Sequence, residues 1–301
     1  MAGENLKEQL VRHVLPAVQM PAQYVGGELN MVRKDHRSVR GRLCLAFPDL
    51  YTIGMSHHGL QVLYSLMNAC EDWVCERAFA PWMDMEQALR AQGLPLYSLE
   101  SFTPLRAFDV LGFSLQYELC APNILTMLDL AGIPLRSRDR TVSDPLVIAG
   151  GPCAQNPEPL AAFIDVFVTG DGEPSLPRLC DLWLELKGAA GQGREGCAAR
   201  GELLLDVARQ LPFCYVPRFY EPQYRDGRFV ALDRLHPAVP ATIEPAILRD
   251  LEAAPLPTRP LVPYVECVHD RIAIEIMRGC PWQCRFCQSS VIKRPLRFRS
   301  I

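Results

Sequence analysis

Hydrophobic positions along the chain follow two rhythms. Over residues 4–15, Leu6, Leu10 and Val14 fall on one face of an amphipathic helix. "PAQYVGGELN" then interrupts the pattern, and Gly26-Gly27 predicts a turn. From 43 to 187, short apolar runs alternate with helical spacings. "LCLAF" (43–47), "LPLYSL" (94–99), "DVLGFSL" (109–115), "PLVIAGG" (145–151) and "DVFVTG" (165–170) predict buried strands. Leu60, Leu63, Tyr64 and Met67 recur at i, i+3, i+4 and i+7, with Ser56 as the expected cap. A second helix is expected near 82–92, ending at Gly93. A third starts at Pro122 and stops at Gly132, proline just inside and glycine just past the end. A last helix carries Leu176, Leu179, Cys180 and Trp183 on one face. Buried strands alternating with amphipathic helices predict an α/β fold, a doubly wound parallel sheet of Rossmann-like type.

After residue 188 the rhythm changes. "GAAGQGREG" reads as a glycine-rich loop. "FYEPQYRDGRFVAL" alternates on both sides of Asp226-Gly227 and predicts a hairpin. A proline-rich stretch from 237 to 263 reads as an extended linker. In "RIAIEIM" (271–277), Ile272, Ile274 and Ile276 alternate with Ala273, Glu275 and Met277, the pattern of a new strand. The expected division is 1–40, an N-terminal helical and irregular segment; 41–190, the α/β domain; 191–262, a linker with a hairpin; and 263–301, the start of a further domain.

Length and composition narrow the classes. At roughly 100–200 residues per domain, 301 residues imply two, and 49% hydrophobic residues suffice for a core. A net charge of −3 makes no global case for nucleic acid or an anionic membrane. The first residues, "MAGENLKEQLVRHVL", lack the apolar stretch of a signal peptide, and no run approaches the roughly 18 apolar residues of a membrane span. A cytoplasmic location is expected. Thiols stay reduced there, so the twelve cysteines do not imply a disulfide framework. Cys44, Cys120, Cys153, Cys180 and Cys214 stand alone and read as small buried hydrophobes. Cys70 and Cys75, in "CEDWVC", read as core or surface thiols.

One cluster demands chemistry. "EIMRGCPWQCRFCQ" (275–288) places Cys280, Cys284 and Cys287 within eight residues. Thiolates suit zinc, copper(I) and iron–sulfur clusters. A structural zinc site wants four protein ligands. His269 or Cys267 could supply a fourth only if the chain folded sharply back across the strand expected at 271–277. Three cysteines on one loop could instead hold three irons of a [4Fe–4S] cluster and leave the fourth open to a chelating substrate.

The CxxxCxxC motif after a strand, with "RGC" and the aromatic Phe286 before its last cysteine, resembles the signature of radical S-adenosylmethionine (SAM) proteins. The resemblance implies that Cys280, Cys284 and Cys287 ligate the [4Fe–4S] cluster and that Phe286 packs near cluster and adenine. It implies reductive cleavage of S-adenosylmethionine to a 5′-deoxyadenosyl radical, with an electron donor such as flavodoxin or ferredoxin as partner. It further makes 271–277 the first strand of a partial (β/α)6 barrel. A complete barrel would need about 150–200 further residues at roughly 30 per βα unit, which implies a chain cut short at its C-terminal side. "GDGE" (170–173) lies in the preceding domain, apart from the GGE-type loop of that superfamily.

The preceding domain resembles the cobalamin-binding domain fused to many such proteins, whose pattern is DxHxxG, then SxL, then GG. Asp49-x-Tyr51-x-x-Gly54 fits the first element with tyrosine in the histidine position. Ser114 begins the second element, with Gln116 in place of its leucine. Gly150-Gly151 is the third. Cobalamin is therefore a further cofactor implied by resemblance, without its usual histidine ligand. The competing expectation is a non-enzymatic corrinoid- or nucleotide-binding α/β module with a structural metal site near its C-terminus.

Overall fold

A computed structural model of the chain describes all residues except 1–4, 191–194, 270, 283 and 301. They group into two compact units that interleave along the sequence, in place of the contiguous blocks expected. The first takes Met1–Ser114, Glu118–Ile133 and Pro255–Glu275. The second takes Leu115–Tyr117, Pro134–Ala254 and Ile276–Ile301.

The first unit is built around β1 (Gly41–Phe47), with β2 (Trp73–Phe79) and β3 (Val110–Ser114) parallel on its two sides. Leu43 lies opposite Cys75 and Val110. The strand β2 is absent from the sequence expectation because Glu76-Arg77 breaks its apolar run. All seven of its residues are nonetheless buried. Burying charge requires partners, and the fold supplies them. Arg77 donates from Nη2 to Glu28 Oε2 (3.1 Å) and from Nε to Glu100 Oε1 (2.6 Å). Glu76 is held by His36 (2.6 Å), Ser98 (2.5 Å) and Ser101 (2.6 Å).

The expected strand at 94–99 does not form. Its backbone bonds go to separate elements, Leu96 N–H to Leu130 O and Leu99 N–H to Arg77 O, so no ladder develops beyond one bridge between Tyr97 and Pro104.

Helix α1 (Leu6–Gln9) opens with a capping box between Asn5 and Glu8 and runs on as a wider turn that buries Leu10 and Val14. Its expected start at Glu4 lies outside the described residues. After the single turn α2 (Tyr51–Gly54), α3 (His58–Ala69) is capped by His57, whose Nδ1 accepts from Leu60 N–H at 3.0 Å. The expected cap, Ser56, instead donates to Thr52 O and closes the preceding turn. Helix α4 (Met83–Gln92) ends at Gly93 with φ +63°. Helix α5 (Ala121–Leu130) has Pro122 in its first turn, and Gly132 follows at φ +65°. The segment Pro255–Glu275 is a strap on this unit: Val262 bridges Leu29, and Asn30 Nδ2 donates to Pro260 O at 2.8 Å.

In the second unit β4 (Leu146–Gly150) and β5 (Val166–Val168) are parallel. Helix α6 (Gly172–Ala190) buries Leu176, Leu179, Cys180 and Trp183 on the face the spacing predicts. Helix α7 (Cys197–Gln210) corrects the expectation of a linker from 191. It buries Leu203, Leu204, Val207 and Ala208 together with Arg200, whose Nη2 donates to Asp165 Oδ2 at 2.7 Å. The charge on the buried face masks the helix in the sequence. Strand β6 (Cys214–Tyr215) pairs antiparallel with β5. The hairpin of β7 (Tyr220–Arg225) and β8 (Arg228–Arg234) turns at Asp226-Gly227, both at positive φ, +51° and +73°. The unit ends with β9 (Met277–Arg278), α8 (Ser289–Ile292) and β10 (Arg297–Phe298).

The chain is thus α/β, and the paired strands among β1–β6 are mostly parallel, β6 being the exception. The barrel strand expected at 271–277 is not there. Only 277–278 are in a strand, antiparallel with 297–298. Ile272, Ile274 and Ile276 are exposed, Ile274 at 67%. Alternation predicts a strand only where a neighbour takes up its backbone groups, and 271–276 join no ladder among the described residues. No helix among the described residues is long and apolar enough to cross a membrane.

Candidate metal centre

The cysteine loop hangs between the two-residue strands β9 and β10, in which Arg278 lies opposite Arg297 and Met277 opposite Phe298. Arg299 N–H adds a bond to Ile276 O at 3.0 Å. The chain leaves β9 at Gly279, φ +98°, where a Cβ would stand 2.8 Å from Lys293 O. Only glycine fits a left-handed residue so close to a passing backbone. The loop then turns on itself through Cys287 N–H to Cys284 O (3.0 Å), and Ser290 Oγ donates to Cys287 O (2.8 Å) as α8 begins. Cys280 and Cys287 are half-buried and Cys284 is exposed. Phe286 points to solvent, 92% exposed, rather than packing on a neighbour.

Cys280, Cys284 and Cys287 are free thiols. The donor set at 280, 284 and 287 has the softness and the freedom that an iron–sulfur cluster needs. Among the described residues, however, no three His, Cys, Asp or Glu side chains converge on one point. The donors fit in kind and share one loop; binding requires their side chains to be drawn together.

The stem of this loop meets the two acids of the "GDGE" segment, 170–173. Asp171, in the loop from β5 into α6, and Glu173, in the first turn of α6, take Arg278: Nη1 donates to Asp171 Oδ1 (3.0 Å) and Glu173 Oε2 (3.1 Å), and Nη2 to Glu173 Oε1 (2.7 Å). Arg297 Nη1 donates to the other oxygen of Asp171 and to Leu248 O (2.8 Å). Burial alone would raise the Asp171 carboxyl. The Arg297 hydrogen bond, the Leu248 N–H and the Arg278 charge outweigh it and hold the group below the ordinary carboxylate range. Glu173 and Arg278 lie more than a hundred positions apart, and no local pattern could have paired them.

The residues expected at a cobalamin site are divided. Asp49, Tyr51, Gly54 and Ser114 belong to the first unit, Gly150 and Gly151 to the second. Asp49 Oδ1 accepts from Leu50 N–H at 2.7 Å. Tyr51 is buried in the core, its hydroxyl donating to Glu28 Oε1 at 3.0 Å, and burial beside Glu28 pushes its ionisation up. A Cβ on Gly54 would lie 2.3 Å from the Phe79 ring, so packing accounts for this glycine. Ser114 closes β3. Gly150 closes β4, and Gly151 follows at φ +108° with Leu115 O where its Cβ would stand, 2.6 Å away. Within the second unit, Gly151, Gly170, Asp171, Lys293 and Arg297 surround one small hollow, which brings the third element of the pattern beside the foot of the cysteine loop.

Comparison with known proteins adds family and relatives. The family model described as "Radical SAM proteins, N-terminal" matches residues 59–217, just over half of the chain and upstream of the cysteine motif. The uncharacterized protein MJ0966 of Methanocaldococcus jannaschii is 24% identical over 211 residues, 68% of this chain. The chain spans about a third of that relative, 36% of its length. A solved structure, the radical S-adenosylmethionine methyltransferase TsrM of Kitasatospora setae with tryptophan and the SAM analogue aza-SAM bound, is 17% identical. It covers 51% of this chain and 28% of its own, at a TM-score of 0.32, too low to argue from. By the match over residues 59–217, the chain belongs to the family of radical SAM proteins, N-terminal.

Proposed function

We propose that the chain carries the cluster-binding loop of a radical SAM protein, with Cys280, Cys284 and Cys287 as thiolate ligands of a [4Fe–4S] cluster. The observation that carries this reading is three free thiols at this spacing on one loop of a family member. When bound, the cluster supplies the electron for reductive cleavage of S-adenosylmethionine. The remaining roles belong to the chain's own residues. Gly279 lets the loop leave β9 close to the backbone at 293–296. Cys284 is exposed, which suits electron delivery from a donor such as flavodoxin or ferredoxin. Phe286 is available to pack on the adenine. Cobalamin enters only in a form without a ligand from Tyr51, whose hydroxyl Glu28 engages. The cytoplasm, where thiols stay reduced, is the compartment this chemistry suits.

Anaerobic reconstitution with iron and sulfide tests the reading. Uptake of about four irons per chain, with a broad brown absorbance lost in the triple variant Cys280→Ala, Cys284→Ala, Cys287→Ala, is the expected result. Stoichiometric zinc in aerobically purified protein, with no iron uptake, would favour the structural metal site and overturn it.

A further inference from the structure

The pairing of β9 with β10 presents an electrostatic problem. Each strand is two residues long, and an isolated pair that short is marginal in water. The pair also sets Arg278 directly opposite Arg297, and like charges facing across a ladder repel. The backbone alone does not account for a stem at this position.

The end of the loop from β5 and the first turn of α6 resolve it. Asp171 lies between the two guanidiniums and takes one on each carboxylate oxygen. Glu173 takes Arg278 through both of its oxygens, a two-toothed arrangement that fixes direction as well as distance. The four side chains are largely shielded from water, Arg278 and Glu173 being 13% and 7% exposed, so salt screens them less than surface pairs. Asp171 is itself anchored, accepting from Leu248 N–H at 2.9 Å and donating its own N–H to Ala246 O at 2.7 Å.

We propose that Asp171 and Glu173 are positioning residues for the cysteine loop. By clamping Arg278 and Arg297 they fix both stems, so that only the tip bearing Cys280, Cys284 and Cys287 has to be ordered when a cluster binds. Closing a loop whose ends are already held costs less entropy than closing one whose ends are free. The inference rests on the proposed cluster role of these cysteines.

The test uses the full chain reconstituted anaerobically, with Glu173→Gln as the first variant and Arg278→Lys as the second. Glutamine keeps the shape of Glu173 and removes its charge; lysine keeps the charge at 278 and cannot span both acids. Loss of iron to an added chelator is followed together with the electron paramagnetic resonance spectrum of the reduced cluster and the melting curve. Iron loss about tenfold faster than in the parent, the size expected for one charge-assisted hydrogen bond, with a broadened spectrum and an unchanged melt, supports the clamp. If Glu173→Gln melts early, Arg278→Lys decides: faster loss with a parental melt supports the clamp, parental loss overturns it. Parent and both variants losing iron at one rate with one spectrum overturns the clamp and leaves the cluster assignment intact. A parent that takes up no iron overturns both.

Discussion

Asp165 is a heavily committed carboxylate of the second unit. Its Oδ2 accepts from Arg200 (2.7 Å) and Val147 N–H (2.8 Å) and lies 3.1 Å from Arg140, while Oδ1 accepts from Ser137 (2.5 Å). Burial would raise this carboxyl; the Arg200 and Arg140 charges, with the two hydrogen bonds, override it and hold the group below its ordinary value. A depressed folded pKa means that the stabilisation is present above the unfolded value of about 3.9 and is lost as pH falls through the folded one. Asp165→Asn leaves two buried guanidiniums without their shared counter-charge and costs about 3–5 kcal/mol at neutral pH. Urea unfolding from pH 7 down to pH 3 should show that loss and a shallower acid slope than in the parent. At this scale the sequence marks Cys280, Cys284 and Cys287 as a candidate cluster by their spacing. It conceals Asp165, Arg77 and the acids at 171 and 173, because each is defined by partners far off in the chain. A charged residue in an apolar run reads as exposed until its counter-charge is placed.

Elements were legible where one residue type settles the geometry. The hairpin of β7 and β8 follows from Asp226-Gly227, and α4 and α5 stop at glycines in the left-handed region. Nothing stands within 4 Å of a Cβ built on Gly227, so Gly227→Ala costs only backbone strain, about 1 kcal/mol. Hydrogen exchange should speed up in the hairpin and stay parental in β1 and β3; a global change would contradict this reading of the turn. Elements were illegible where burial and charge coincide, as in β2 and α7, and where alternation lacked a partner, as at 271–276. The strand at 94–99 failed for a related reason, since its apolar residues pack while its amides bond to four different places, Leu89, Leu130, Thr103 and Arg77.

For the whole molecule, the α/β class was legible from the alternation of runs, and the two-unit division was not. No composition shift marks Pro255–Glu275 as part of the first unit, because its attachments are single hydrogen bonds to residues more than two hundred positions earlier. Besides those of Val262 and Asn30, Val268 N–H reaches Thr52 O, His269 N–H reaches Ser56 Oγ at 3.0 Å, and the Tyr264 hydroxyl donates to Gly27 O. A chain ending at residue 254 therefore loses several hydrogen bonds from the first unit, each worth about 1 kcal/mol, as well as the cysteine loop. Its first unit is expected to melt earlier than in the parent; an unchanged transition would show that the strap carries no stability. The same strap sets an order on synthesis. A ribosome adds residues at roughly 5–20 per second, so residues 134–254 take on the order of 10 s to emerge. Throughout that interval the earliest-made unit waits, with the surface around Leu29, Thr52 and Ser56 uncovered, for a segment made after most of its neighbour. Chaperone binding to the nascent chain is then expected to end only when residue 275 clears the exit tunnel.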